Sequence, residues 1–168
     1  MIIRSAQIGD LPVIVDIYNQ SIPSKQSTGD TKPVKVDDRQ SWFLEHDPEY
    51  FPIFVSEVEG KVTGWCSLSP YRPGRLALRS TAEISYYIDG AFHRQGIGMA
   101  LVRHALTECP RLKIKNVFAI ILERNVASVK LLEKMGFQKW GYLPRVADFD
   151  GEECGHLYYG MRVWNGRP

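Results

Sequence analysis

The sequence predicts an α/β (α+β) fold, in which a mixed, mostly antiparallel central sheet of about seven strands is flanked by about four helices. Three observations predict it. Apolar residues switch between strand-like alternation and helical spacing in the order β-α-α-β-β-β-α-β-α-β-β. Strands joined as hairpins are interspersed with strand–helix–strand units, so antiparallel and parallel neighbours share one sheet. The 168 residues, 44% of them hydrophobic, suit a single domain over 1–168 with a full core.

The elements follow in chain order. Ile2 to Ala6 reads as a short strand. Asp10 is placed to cap a helix that has Pro12 in its first turn and Leu11, Ile14, Val15, Ile17 and Tyr18 at helical spacing, ending at Pro23. Ser24 to Val36 is polar and reads as an exposed loop. Asp37 or Asp38 then caps a short helix with Trp42, Phe43 and Leu44, closed by Asp47-Pro48. Phe51 to Glu59 and Val62 to Leu68 form a hairpin around Gly60. A loop at Pro70 to Arg75 precedes a strand at Thr81 to Ile88. A helix carrying Ile97, Leu101, Val102 and Ala105 runs to Pro110. Val117 to Leu122 is continuously apolar, as in a strand buried on both faces. Asn125 caps a helix holding Val126, Val129, Leu132 and Met135, and Gly136 suits the left-handed position after it. Gln138 to Leu143 and Leu157 to Val163 are the last strands, split by a polar loop at Asp148 to Gly155.

Composition narrows the function. A net charge of +2 gives no argument for nucleic acid, though a local anion site remains open. Cys66, Cys109 and Cys154 are scattered and form no CxxC, and no two histidines have ligand spacing, so no metal is expected. No segment approaches the ~20 apolar residues of a membrane helix. The chain opens on a strand-like run, not a signal peptide, so the expected location is cytoplasmic.

His93-Arg94-Gln95-Gly96-Ile97-Gly98 joins the Thr81–Ile88 strand to a helix start. Helix starts leave free N–H groups and partial positive charge, which hold phosphate well. Glycines let the backbone approach a ligand, and Arg94 adds a cationic donor. The residues alone equally allow an ordinary turn with a solvated arginine. A dinucleotide motif fits badly, because its third glycine falls at Leu101; a Walker loop is excluded, because no Lys-Ser/Thr follows.

Three blocks together resemble the Gcn5-related N-acetyltransferase (GNAT) superfamily, in its phosphinothricin and methionine-sulfoximine acetyltransferase branch. They are Arg94-Gln95-Gly96-Ile97-Gly98, then Asn125-x-x-Ser128 with Leu131 to Phe137, then Arg79-Ser80-Thr81-Ala82-Glu83-Ile84-Ser85-Tyr86-Tyr87-Ile88. Tyr18-Asn19 also fits, and the likeness covers nearly the whole chain. His93 departs from the superfamily's Gln/Arg. Ser27 to Val36 lacks the branch's aromatic residue, and Glu153-Cys154-Gly155-His156 stands where Trp-His-Asp is usual.

The resemblance implies a GNAT fold and acetyl-CoA as co-substrate. The diphosphate would lie on Arg94, Gln95, Gly96, Ile97, Gly98 and Met99. Pantetheine would run along Tyr87 and Ile88, near Asn125 and Ser128. Glu83 would be the general base for a small amino-acid-like amine. Strand alternation puts Thr81, Glu83, Ser85 and Tyr87 on one face, which agrees, although a carboxylate paired with Arg79 is the plain alternative. Arg79 and Arg72, with Thr81, would meet the substrate's carboxylate or phosphinate. Leu131-Leu132 stands where many superfamily members carry an acidic tyrosine, so the proton donor to the thiolate is unassigned. Tyr18, Trp42, Phe43 and Trp65 read as core, and Tyr158 and Tyr159 as one inward, one outward. The implied assembly is a homodimer, with the tail Leu157 to Trp164 as its interface. Acetylation of a peptide N-terminus or polyamine, and a non-catalytic acyl-CoA-binding module, are the competing readings.

Overall fold

The computed structural model describes residues 1–164; 165–168, the end of the expected domain range, lie outside the described residues. Its strands are β1 (Ile2–Ser5), β2 (Ile53–Val58), β3 (Lys61–Pro70), β4 (Thr81–Ile88), β5 (Asn116–Leu122), β6 (Gln138–Phe149) and β7 (Glu152–Arg162). Its helices are α1 (Leu11–Ser21), α2 (Gln40–Leu44), α3 (Ile97–Glu108) and α4 (Val126–Lys134). The strands make one sheet in the order β1-β2-β3-β4-β5-β7-β6, with β4–β5 as its parallel pair and every other pair antiparallel.

Alternation along the strands sorts two layers. Phe54, Cys66, Leu68, Ala82 and Ile84 pack with Leu101, Val102 and Ala105 of α3 and Leu132 of α4. The intervening residues Ile53, Val55 and Trp65 pack with Ile14 and Ile17 of α1. Burying side chains of this size contributes about 1.5–3 kcal/mol each, so both helical layers are held mainly by apolar burial. Glu83 lies between Ala82 and Ile84 and therefore faces the α1 side.

Local signals hold where a side chain has no stronger partner. The Asn125 side chain accepts from Ser128 N at 3.0 Å, as its cap position predicts. The other end of α4 closes through Phe137 N to Leu132 O and Gly136 N to Glu133 O, both at 3.0 Å, with Gly136 at φ 90°. Asp10 departs from its expected capping role. Its carboxylate takes two bonds from the Arg4 guanidinium, at 2.7 and 3.0 Å, and one from Gln7 N at 2.7 Å. A bidentate charged pair outcompetes a single cap bond, and it holds the Asp10 carboxyl below its ordinary range. Neither Asp37 nor Asp38 caps α2; they sit in a short 3-10 turn that leads into it.

The last hairpin also departs from expectation. The polar segment read as a loop at Asp148–Gly155 is mostly strand, and the turn is Asp150-Gly151, with φ 59° and 93°. Paired positive φ values match the twist of a two-residue hairpin, as they do at Glu59-Gly60, with φ 51° and 76°. Pro144 is tolerated because β6 is the sheet's edge and its register shifts between Leu143 and Ala147. Tyr159 is buried, with its hydroxyl donating to Glu133 at 2.9 Å, while Tyr158 stacks on Phe118.

A substituent at Gly136 would meet nothing within 4 Å, so the position isolates backbone conformation. Gly136→Ala is expected to destabilise the chain by about 1 kcal/mol through the left-handed φ alone, read as a lowered midpoint in urea with an unchanged slope.

Candidate active site

The α1-facing side of β3 and β4 carries a row of polar and aromatic residues. Trp65, Ser67 and Ser69 stand opposite Tyr87, Ser85 and Glu83 in the strand register. Ile14, Val15 and Tyr18 of α1 close over this row with Val34, Arg39 and Trp42. Together they enclose a cavity of about 260 Å³.

Glu83 forms no hydrogen bond or ion pair among the described residues, and burial pushes its carboxyl above the ordinary glutamate range. A charged form denied water and counter-charge is disfavoured, which makes the group a better proton acceptor near neutral pH. The plain alternative, pairing with Arg79, does not occur. Arg79 is directed instead to Leu76 O at 3.4 Å. Arg72 is exposed, and the Thr81 hydroxyl accepts from Asn116 Nδ2 at 3.4 Å. None of Arg72, Arg79 and Thr81, the expected substrate contacts, lines the cavity.

The positive charge on the cavity wall is Arg39. Its guanidinium lies 5.1 Å from the Tyr18 ring centroid and 6.0 Å from that of Trp42. One of its nitrogens reaches Asp30 Oδ2 at 3.3 Å, and the same oxygen accepts from the Tyr18 hydroxyl at 2.5 Å. The loop after α1 is further tied down by Tyr87 Oη to Ser27 O at 3.3 Å and Asn125 Nδ2 to Ser27 Oγ at 3.4 Å. Tyr18, Trp42 and Trp65, expected in the core, serve both purposes: they pack on α1 and β3 and line the cavity. Sequence reasoning missed Arg39, Ser67 and Ser69. Only the serines left a signal, because Ser67 and Ser69 alternate with the buried Cys66 and Leu68 in an interior strand.

Behind this wall the sheet opens. β4 and β5 pair only from Thr81 to Glu83 against Asn116 to Phe118, although β4 runs on to Ile88 and β5 to Leu122. Past Glu83 the two strands diverge, leaving the edge of β4 that faces β5 without its strand partner. The far end of this gap is ringed by the β4 end and the starts of α3 and α4. Gly96 takes φ 81°, and the first helical bond of α3 is Ala100 N to Gly96 O at 3.0 Å, so the amides of Ile97, Gly98 and Met99 precede the ladder. A Cβ at Gly98 would come 3.1 Å from Leu131 Cδ1 and 3.7 Å from Ile88 Cγ1, so the missing side chain lets α3 pack closely on α4 and the end of β4. Arg94 also has positive φ, at 60°. Tyr87, Ile88, Arg94, Gln95, Gly96, Ile97, Gly98, Met99, Asn125 and Ser128, the expected cofactor contacts, thus lie at this end of the gap. The Tyr86 hydroxyl is buried there without a hydrogen-bond partner among the described residues, and burial pushes its pKa up to about 12. Glu153 to His156 sits within β7, where Gly155 N donates to Glu123 at 2.6 Å, and does not line the cavity. Among the described residues no group of three or more His, Cys, Asp or Glu side chains is arranged to hold a metal ion.

Residues 14–137, which span the cavity, the diverging strands and the glycine loop, match the acetyltransferase (GNAT) family. The chain belongs to the acetyltransferase (GNAT) family. Among its GNAT relatives, a Bacillus subtilis (strain 168) protein named "Putative phosphinothricin acetyltransferase YwnH" is 42% identical over 153 residues, 90% of this chain and 93% of that protein. The L-methionine sulfoximine/L-methionine sulfone acetyltransferase of Pseudomonas paraeruginosa is 34% identical over 146 residues, 86% of this chain and 84% of that protein. The fold is shared with a crystal structure of a GNAT superfamily phosphinothricin acetyltransferase from Sinorhizobium meliloti in complex with AcCoA. That match has a TM-score of 0.89 and 25% identity, covering 96% of this chain and 87% of that one. By family and by these relatives the chain is an N-acetyltransferase.

The half-buried Glu83 makes a stability prediction with a definite sign. Its folded-state pKa lies above the ordinary 4.5, so between 4.5 and that raised value the native chain holds a proton that the unfolded chain has lost. Stability then falls as pH rises through this window. Glu83→Gln removes the effect. The difference in melting temperature between variant and wild type is expected to widen in favour of glutamine above pH 4.5 and then level off, as checked by thermal scans across pH.

Proposed function

We propose that this chain transfers the acetyl group of acetyl-CoA to the primary amine of a small amino-acid-like substrate of the phosphinothricin or methionine sulfoximine type, with Glu83 as general base. The observation that carries this reading is the position of Glu83, unpaired and half-buried, at the last residue at which β4 still pairs with β5. There the α1-side cavity meets the gap between the strands.

The residues fit the donor. The amides of Ile97, Gly98 and Met99, with Arg94 beside them, offer hydrogen bonds and positive charge to a diphosphate. The unpaired edge of β4 beyond Glu83 offers amides to the amide groups of a pantetheine arm and to a thioester carbonyl. Acetyl-CoA supplies an acetyl group activated as that thioester. Glu83 takes a proton from the substrate ammonium, whose ordinary pKa is about 8. The freed nitrogen bonds to the carbonyl carbon, the carbon–sulfur bond breaks, and the departing sulfur takes the electron pair and then the second proton, which the acylated nitrogen sheds as it becomes an amide.

The acceptor reading rests on Arg39 and on size. A cavity of about 260 Å³ suits an amino acid, not a folded peptide chain. Arg39 suits a carboxylate or phosphinate and repels a polyamine. The unpaired Glu83 disfavours a module that only binds acyl-CoA, since a half-buried carboxyl with a raised pKa and no partner, lining a cavity, suits proton transfer. A homodimer completes the proposal. The interface expected along Leu157 to Trp164 moves, because β7 lies between β5 and β6; the free edge belongs to β6, with Trp140, Tyr142, Leu143 and Val146 exposed.

Thiol release from acetyl-CoA tests the reading on a panel of amines. Release is expected with methionine sulfoximine or phosphinothricin and not with a peptide or a polyamine; release with peptides alone overturns the acceptor assignment. Glu83→Gln is expected to lower kcat by about 10²–10⁴ with the acetyl-CoA Kd unchanged. Gly98→Val is expected to weaken acetyl-CoA binding, and Arg39→Gln to raise KM for the carboxylate substrate about tenfold or more. Sedimentation is expected to give the mass of two chains, falling to one when Leu143 and Val146 are both replaced by glutamate.

A further inference from the structure

A proton delivered to Glu83 must leave before the next turnover. Bound substrate would fill the cavity, whose wall beside Glu83 is aromatic and aliphatic apart from Arg39 and three serines, and of those serines Ser69 leads on to a histidine. We propose that Ser69 and His46 form a relay that carries this proton from Glu83 to the partly exposed His46 imidazole just after α2; the proposal rests on Glu83 being the base.

The direction of the relay follows from its hydrogen bonds. His46 Nδ1 lies 2.7 Å from Trp42 O. A carbonyl oxygen only accepts, so Nδ1 carries the hydrogen, and the neutral ring then leaves Nε2 bare. Its neighbour is Ser69 Oγ at 3.1 Å, so the Ser69 hydroxyl donates to Nε2. Ser69 stands directly opposite Glu83 in the β3–β4 register, and both line the cavity. Opposed residues on adjacent strands have Cβ atoms ~4.5–5.5 Å apart. Ser69 Oγ is therefore the cross-strand hydroxyl for a protonated Glu83; the two side chains are not hydrogen-bonded in the resting chain and close that gap by rotation when the proton passes.

Each step balances. Glu83 O–H passes its proton to Ser69 Oγ as the Ser69 hydroxyl proton passes to His46 Nε2. The imidazolium so formed keeps Nδ1–H on Trp42 O; its Nε2–H then leaves Ser69 Oγ and passes the proton to water at the exposed part of the ring, and the serine, imidazole and carboxylate return to their starting forms. The groups facing His46 are the Trp42 ring, 4.8 Å away centroid to centroid, Ser69 of β3, and Glu45 beside α2. Burial holds the imidazole below its ordinary range despite Glu45, so the ring rests neutral and gives up a proton readily.

These bonds also tie α2 to β3, so the test must separate transfer from support. With methionine sulfoximine and acetyl-CoA as probes, Ser69→Ala and His46→Ala are expected to lower kcat about tenfold or more, with KM for acetyl-CoA unchanged. Ser69→Thr, which keeps the hydroxyl, is expected to retain activity. Added imidazoles are expected to restore His46→Ala in the order of their basicity, a response that a supporting role does not produce. Ser69→Ala removes one oxygen and carries the test even if His46→Ala fails to fold. An active wild type with Glu83→Gln dead but Ser69→Ala at wild-type kcat overturns the relay alone. Loss in His46→Ala that no imidazole restores, with Ser69→Thr falling as far as Ser69→Ala, overturns it too. A wild type that releases thiol with no amine overturns both the relay and the function beneath it.

Discussion

Parallel pairing between β4 and β5 stops at Glu83 and Phe118, and the rest of the molecule is arranged around that stop. Strands that remained paired would satisfy every backbone group and leave no room between them. Divergence gives up those bonds and opens a slot lined by main-chain donors and acceptors. The loss is tolerated because the flanking strands remain fully laddered: β3 pairs with β4 along its whole length, and β7 does the same for β5. α3 and α4 then close the far end of the slot, packing against Ile88 through the small surface of Gly98. The sheet is therefore both the scaffold and one wall of the binding site.

The two faces of β4 divide the work. Ala82 and Ile84 are buried against α3 and anchor the strand. Glu83, Ser85 and Tyr87 look the other way, into a cavity roofed by α1 and α2. Apolar burial holds α1 in that roof, and a set of polar ties through Asp30, Thr28 and Ser27 holds the loop that follows it. Tyr18 bonds Thr28 at 2.6 Å and Asp30 at 2.5 Å, and Asn19 spans to Val34 at 2.9 and 3.0 Å. Such ties fix Arg39 and the aromatic rings on the wall of the cavity beside Glu83. They also explain how a segment that is polar in composition can be ordered.

Much of this was legible in the sequence, for identifiable reasons. Thr81–Ile88 alternates cleanly, so the strand and the face of Glu83 could be read from period alone. Asn125 and Gly136 act through their own backbone neighbours, and no distant residue competes with them. Asp10 shows the opposite case: its local capping signal lost to Arg4, six residues away and on another element. Asp148–Gly155 looked like a loop because Phe149 and Cys154 are its two buried apolar side chains, too few to show strand alternation; the Asp150-Gly151 pair was the signal to weigh. Arg39 and His46 could not be found locally, since only the docking of α2 over β3 brings them to Ser69 and the cavity. Arg72 and Arg79 failed as cavity residues for the same reason, because proximity in sequence to Glu83 does not carry a loop over the strand's α1 face.

The most direct measurement is a crystal structure with coenzyme A and an N-acetylated amino acid bound together. The account predicts the diphosphate on the amides before Ala100, the sulfur between the diverged ends of β4 and β5, and the product nitrogen within hydrogen-bond reach of Glu83. Coenzyme A held elsewhere, or β4 and β5 found paired to their ends with both ligands outside the gap, would contradict it.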